Sequence, residues 1–362
     1  MEVLIFIAVI VALIVVHEFG HFIVAKLSGM RVDEFGLGYP PRAAVIGKIG
    51  ETVYTLNWLP FGGFVKIYGE DGGGSGSRAF SARPRVLQAL VLIAGIAMNL
   101  LFAYVLITGA LVSGTPRALS ASEVAHARDV SLAVADVLPG TPAARAGLLP
   151  GDSILSAKDA AGEWHATDPA SFSAFIAASG GGKVALSINR AGSDLSVLAT
   201  PSNGIVPNDP ARYALGIEVA TIGTVPLSFG AAVTQGASLT WGATVLTAQG
   251  LWHFFYGIFT FRANLSQVAG PIGIASAVGS ASAQGLGDLL SLMAIISINL
   301  ALINLIPIPA LDGGRLLFVL IESVIRRPIK PSVARTVNAI GFVFLILLMV
   351  VVSAHDIFRI VG

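Results

Sequence analysis

Three residues near the start of the chain stand in a pattern that could do chemistry: His17, Glu18 and His21, within HEFGH. On a helix, positions i and i+4 share one face, so both imidazoles can reach a single metal ion. Glu18, next to the first imidazole, can then reach a metal-bound water as general base. Zinc lowers the pKa of its bound water to about 7, and a carboxylate that takes the proton sets up attack on a carbonyl. Two histidines do not complete such a site, because a catalytic zinc takes three protein ligands and keeps one position open. The chain has no cysteine, so thiolate ligands, disulfides and thiol nucleophiles are excluded. His126 and His165 fall in a polar stretch, His253 in an uncharged segment and His355 near the C-terminus. The best third ligand is Asp312, in INLIPIPALDGG at 303–314, where two prolines interrupt an apolar run. Helix breakers at membrane depth are tolerated where the backbone is buried in protein or lines a cavity.

The elements that must position these groups are membrane helices. Of 362 residues, 54% are hydrophobic and 12% charged, with mean hydropathy +0.80. Soluble domains carry about 25% charged residues. A disordered chain and a purely soluble enzyme are thereby excluded. A net charge of +1 without a basic block argues against nucleic acid as a partner. Four stretches are long and apolar enough to span a bilayer: 3–25, 86–112, 289–306 and 337–354. The first holds the HEFGH motif, and its length and lack of a basic start distinguish it from a cleavable signal peptide. Ionisable residues at bilayer depth cost about 2.5–3.5 kcal/mol each, so three within five residues mark a functional site. A fifth stretch, 226–261, is uncharged but interrupted by Thr and Gln, and reads as a helix on the membrane surface or against the bundle.

Lys and Arg cluster at 26–85 and 315–335, which places both segments on the cytoplasmic side. The 113–225 segment and both termini then lie outside. His17 falls fourteen residues past Val3, roughly 21 Å along a helix, within the membrane and nearer the cytoplasmic face. The third span must run inward for Asp312 to meet the histidines, so the metal hypothesis selects four spans over five. Glu322 and Asp288 read as solvated residues at span ends.

Between the spans lie two other kinds of segment. The sequence at 138–155, LPGTPAARAGLLPGDSIL, resembles a PDZ domain, and strand-like alternation flanks it at 131–137 and 184–190. Residues 52–59 and 64–68 read as two strands around a turn at 60–63. GGGSGS at 72–77 is a flexible loop or an engineered linker by composition. The expected organisation is therefore a first transmembrane helix at 1–27, a cytoplasmic-side, membrane-associated β-loop and linker at 28–85, and a second helix at 86–112. A PDZ-like α/β domain follows at 113–225, then an amphipathic membrane-surface segment at 226–288. The third helix with its LDG motif occupies 289–314, a cytoplasmic loop 315–336, and the fourth helix with the C-terminus 337–362.

HEFGH in a first span, LDGG after a third and a PDZ-like insert between spans two and three resemble the site-2 protease family, and within it the bacterial regulator-of-sigma-E proteases. The resemblance covers nearly the whole chain. It implies an α-helical membrane protein of four transmembrane helices with a membrane-associated β-loop and a periplasmic PDZ-like α/β domain, sited in the bacterial inner membrane. It implies zinc as the cofactor, which a His2Asp site alone does not select over iron or cobalt. It implies His17, His21 and Asp312 as zinc ligands and Glu18 as the base. Asn304, eight residues before Asp312, matches a family position that binds substrate backbone. IAGIAMN at 93–99 resembles a second-span element of the family, with Ile96 where Pro is usual, and suggests Asn99 as a further substrate-binding residue. AGPIGIA at 269–275 matches a family element before the third span. The implied partners are the lipid bilayer and single-pass transmembrane substrates, an anti-sigma factor of envelope stress signalling among them. The family's best-studied relatives carry two PDZ domains, whereas 113–225 has room for one. The competing readings are a catalytically inactive PDZ-containing membrane scaffold and, more remotely, a metal transporter, whose paired broken helices are not visible here.

Overall fold

The structure, a computed structural model, describes residues 2–70, 76–114, 116–165, 167–190, 192–206, 209–260, 270–327 and 329–361. Most of the GGGSGS run, the first residue of AGPIGIA and the last residue of the 226–261 stretch lie outside the described residues. The chain forms two compact units, Ser113–Leu227 and the remainder.

The larger unit is helical. It contains α1 (Glu2–Leu27), α2 (Arg85–Ser113), α6 (Phe229–Phe259), α7 (Pro271–Gln284), α8 (Leu286–Leu305), α9 (Asp312–Ile325) and α10 (Pro331–Val361). Four helices among the described residues are long and apolar enough to cross a membrane: Val3–Leu27, Arg85–Ser113, Leu286–Leu305 and Ser332–Phe358. The shortest has 20 residues, about 30 Å at 1.5 Å per residue, and so matches a hydrocarbon core about 30 Å thick. Large apolar side chains on α10, including Ile340, Phe342 and Leu347, point outward, as a lipid-facing helix requires.

The bundle departs from the sequence reading in three places. The 315–336 segment is not a loop: it contains most of α9, whose Val319 is buried on the face that meets α1 and α2. Glu322 is not a solvated end residue, because α9 packs it against α2, where it pairs with Arg85 at 2.7 Å. The 226–288 stretch is not one surface segment: α6 is a continuous uncharged helix, but α7 is packed inward. Val278 of α7 is fully buried with Val9 and Leu13 of α1. Its small residues explain the close fit, since Gly and Ala let helix backbones approach. At the start of α7, the buried Asp356 of α10 accepts the Gly273 N–H at 2.8 Å, which satisfies one of the donors a helix N-terminus leaves unpaired.

Between α1 and α2 lie β1 (Val32–Ile49) and β2 (Thr52–Ile67), strands of 18 and 16 residues. Both are far longer than the usual five or six, and each folds into two limbs. The first limb of β1 is paired on both sides: Glu34 lies opposite Val53 and Lys66, and Leu37 opposite Leu56 and Gly63. The second limb of β1 pairs with the far side of the first limb of β2, as in Lys48 opposite Val53. The limb order is therefore 42–49, 52–57, 32–37, 63–67, and the last is an outer strand. Glycine and proline within GLGYPP break the alternation that announces a strand, which is why β1 was not expected. Buried side chains fix the fold-over: Thr55 Oγ1 donates to Glu34 at 2.7 Å, and Asn57 Nδ2 donates to Gly38 O at 3.1 Å.

The smaller unit is α/β. Its strands are β3 (Pro116–Ala118), β4 (Arg128–Val137), β5 (Ser153–Lys158), β6 (Glu163–Trp164), β7 (Val184–Arg190), β8 (Ser193–Ala199) and β9 (Ile217–Thr224), and its helices α3 (Ala121–Val124), α4 (Pro142–Ala146) and α5 (Pro169–Ala178). The sheet runs β3-β9-β4-β5-β7-β8, with β6 also on β5 and all pairs antiparallel. Alternating Val184, Leu186 and Ile188 face a single core with Leu132, Ile154, Phe172 and Ile176. Arg190 clamps the rim: its guanidinium reaches both Asp152 oxygens at 2.7 Å and the Gly147 carbonyl at 2.7 Å. Those hydrogen bonds hold the Asp152 carboxyl below its ordinary pKa.

Candidate metal centre

His17 and His21 lie one turn apart on α1, and both are more than nine-tenths buried. Asp312 is the first residue of α9, and its carboxylate arrives at their Nε2 atoms from 295 residues along the chain. Oδ2 of Asp312 lies 2.9 Å from His17 Nε2 and 3.2 Å from His21 Nε2, and the two Nε2 atoms are 3.2 Å apart. Metal–ligand bonds of 2.0–2.1 Å arranged tetrahedrally give ligand–ligand edges of about 3.3–3.4 Å. The three observed edges are close to that triangle, so the residues fit a zinc ion with its fourth position open. This triad is the only such cluster of potential metal ligands among the described residues.

The chain delivers Asp312 by breaking a helix. α8 ends at Leu305, the Pro307–Pro309 turn follows, and Ala310 takes a left-handed conformation with φ of 80°. Gly314 closes the turn: a Cβ there would lie 2.8 Å from the Ile308 carbonyl carbon and 2.9 Å from Pro309 Cα. The LDGG motif thus supplies one ligand and the close approach that brings it in.

The orientation of the histidines comes from α2. Nδ1 of His21 donates to the Val91 carbonyl at 2.7 Å, which fixes the proton on Nδ1 and leaves Nε2 for a metal. Nδ1 of His17 lies 3.2 Å from Asn99 Nδ2. Between these contacts stands Gly95, where a Cβ would come within 2.7 Å of His21 Cε1 and 2.8 Å of His17 Cε1. Val91, Gly95 and Asn99 follow an i, i+4, i+8 spacing, so one face of α2 matches the i, i+4 face of α1. Gly20, inside HEFGH, lets that face approach: a Cβ there would lie 2.9 Å from Met98 Cβ. Sequence reasoning missed Val91 and Gly95. A carbonyl has no sequence signature, but Gly95 was visible four residues before Asn99.

Glu18, half-buried, borders a cavity of about 590 Å³ together with His21, Asp312 and the outer limb Gly63–Val65. Gly63 lies beside Glu18, where a Cβ would be in ordinary contact with Glu18 Cγ at 3.6 Å. Arg315, one turn beyond Asp312, pairs with Glu70 at the same cavity. The structure thus brings His17, Glu18, His21 and Asp312 together. Asn99 is fully buried behind His17 rather than in the cavity wall. Asn304 is half-buried in the last turn of α8 and is not among the described residues that line the cavity.

A buried His2Asp cluster beside a carboxylate, in a bundle of apolar helices, defines a membrane-bound metallohydrolase. Comparison with known proteins gives the family. Residues 5–348 match the model of peptidase family M50. Proteins of Clostridium perfringens and Nostoc, each named as a putative zinc metalloprotease, are 37% and 34% identical, covering 96% of this chain and 95% and 93% of theirs. The zinc metalloprotease RasP of Oceanobacillus iheyensis is 27% identical, with 98% of each chain covered. The chain belongs to peptidase family M50 and is a membrane zinc metalloprotease. The scaffold and transporter readings give way to an enzyme.

Proposed function

We propose that this enzyme hydrolyses peptide bonds at membrane depth in single-pass transmembrane proteins. The observation that carries this reading is that His17 and His21 lie inside an apolar helix long enough to cross a membrane, clustered with Asp312, and that Glu18, His21 and Asp312 share one cavity with an outer β-limb. Bound zinc would supply a Lewis acid that polarises the scissile carbonyl and acidifies a water. His17, His21 and Asp312 would hold it. Glu18 takes the proton of the attacking water on its carboxylate and passes it to the leaving nitrogen. A helical substrate hides its backbone, so cleavage needs an extended segment. The outer limb 63–67 offers a strand edge at the cavity that pairs with no further strand among the described residues, and strand addition there would present a scissile carbonyl beside Glu18. Asn304, close to Asp312 in sequence, would hydrogen-bond the substrate backbone.

The remaining assignments follow from the Lys and Arg distribution and the family resemblance. We place the enzyme in the bacterial inner membrane with its active site toward the cytoplasm and both termini in the periplasm. Ser113–Leu227 would be a periplasmic PDZ-like domain that binds exposed peptide ends or bars substrates with bulky ectodomains. An anti-sigma factor already trimmed by another protease is the substrate class the resemblance supports.

The test is cleavage of a truncated single-pass substrate by purified protein in detergent, with bound zinc counted. Glu18→Gln is expected to keep about one zinc and to lose roughly 10²–10⁴-fold in kcat. Undiminished turnover in Glu18→Gln would remove Glu18 from the mechanism. Activity confined to soluble peptides, with no membrane substrate cut, would overturn the intramembrane reading.

A further inference from the structure

Asn99 is a buried amide whose two ends face unequal surroundings. Its Nδ2 lies 3.2 Å from His17 Nδ1, whereas its Oδ1 is buried with no hydrogen-bond partner among the described residues. The residue itself is fully buried, and α8 fixes its backbone, where Ser297 Oγ donates to the Asn99 carbonyl at 2.8 Å. A buried acceptor without a donor is costly, and this one sits on the amide that touches a metal ligand.

The arrangement shown is self-consistent only when His17 Nδ1 is an acceptor. Its proton is then on Nε2, facing Asp312 Oδ2 at 2.9 Å. With Nε2 given over to a metal, this would reverse. The imidazole proton moves to Nδ1 and would meet the Nδ2–H donors of Asn99 head-on. Turning the amide over by 180° removes the clash and delivers the unpartnered Oδ1 to Nδ1–H. His21 already has the equivalent partner, since its Nδ1–H donates to the Val91 carbonyl. Among the described residues His17 has no backbone carbonyl in that role, and Asn99 is the side chain in place to supply an amide oxygen instead.

We infer that Asn99 is a positioning residue, whose amide oxygen holds His17 in the Nδ1–H tautomer and so keeps Nε2 available to the metal. This rests on the His17–His21–Asp312 reading and assigns Asn99 to the metal rather than to the substrate. Partners that orient a ligating imidazole typically contribute 10–100-fold in metal affinity.

Two variants separate this role from packing. Asn99→Leu keeps the branching at Cγ and removes the acceptor, at a larger volume. Asn99→Asp keeps an acceptor and adds a buried charge. A packing role leaves the protonation site of His17 unchanged in both variants, whatever they cost in stability; a tautomer role keeps it in Asp and loses it in Leu. Zinc competition against a chromophoric chelator in detergent is expected to show 10–100-fold weaker binding for Asn99→Leu and near wild-type binding for Asn99→Asp. In the zinc-loaded protein, 15N-labelled His17 should show a protonated Nδ1 that is lost or exchange-broadened in Asn99→Leu. Equal zinc affinity of wild type and Asn99→Leu, or coordination of His17 through Nδ1, would overturn the inference and leave the metal site intact. Absence of zinc from wild type would instead overturn the metal site on which it rests.

Discussion

The two units of this protein are held together by different physics. Ser113–Leu227 has one contiguous apolar core, with Leu186, Ile188, Phe172 and Leu132 removed from solvent, and its clearest buried ion pair is the Asp152–Arg190 clamp at the rim. The helical unit reverses the pattern. Its apolar clusters are smaller, two of them sharing Phe102 and Met293, many of its large hydrophobic side chains point outward, and its buried residues include His17, His21, Gln88, Asn99, Ser297 and Asp356. Apolar burial drives folding in water, whereas helices in lipid gain little from it and associate through close packing and hydrogen bonds. An apolar core tolerates some play in its contacts. A metal site does not, and it stands where glycine gaps and polar contacts set helix positions.

That contrast can be broken or sharpened by three measurements, taken from the largest expected effect to the smallest. In the smaller unit, Leu186→Ala should cost about 2–5 kcal/mol, as fully buried leucines do. In the bundle, Ile340→Ala, at an outward-facing position on α10, should stay within about 0.5 kcal/mol. Denaturation of both variants in detergent, followed by hydrogen exchange at the β7 amides and by helix content, checks this; equal losses would erase the distinction between the units.

Next, Gly95→Ala should weaken zinc binding by about 10–100-fold, because the new methyl occupies the space of both imidazoles. Gly109→Ala on the same helix meets only Leu290 Cδ1 at 3.6 Å and should bind zinc as wild type does. Zinc titration of the two variants reads the difference, and a Gly95→Ala protein with full affinity would show that the helix separation is not set there.

The smallest effect is a pH dependence. Arg190 holds the folded carboxyl of Asp152 below its ordinary value. Its contribution is therefore complete above the unfolded pKa near 3.9 and is lost as pH falls through the lower folded value. Protection of the β5 and β7 amides should decline below about pH 4 in wild type and respond less to pH in Asp152→Asn. An identical decline in both proteins would assign the acid response to other carboxylates.

Legibility in the sequence followed the same division. His17, Glu18 and His21 were readable because a helix repeats every 3.6 residues and their background is apolar. Asp312 was readable because two prolines stop a helix at membrane depth. Four apolar helices followed from length and composition alone. α9 is hidden in the sequence because Arg315, Arg326 and Arg327 give its segment the charge of a cytoplasmic loop, although Leu316, Val319 and Leu320 carry an amphipathic spacing. β1 was missed because its glycines and prolines mark bends within a strand as readily as the end of one. Glu322 was misjudged because its partner, Arg85, lies on a helix that sequence order does not bring near. Part of the support of the histidines was hidden for a deeper reason: beside Asn99 it consists of a backbone carbonyl at Val91 and the absence of a side chain at Gly95.

The same support has a bearing on how the protein is made. His21 and its acceptor Val91 are 70 residues apart, whereas His17 and Asp312 are separated by 295. At a synthesis rate of about 5–20 residues per second, Asp312 leaves the ribosome on the order of 15–60 seconds after His17. For that interval α1 carries two imidazoles and a carboxylate into the bilayer without their third ligand. A hairpin of α1 and α2, closed by Gly20 and Gly95, can shelter one imidazole long before the site is complete. The contacts that orient His21 in the finished enzyme are thus available to the nascent chain long before the third ligand is made.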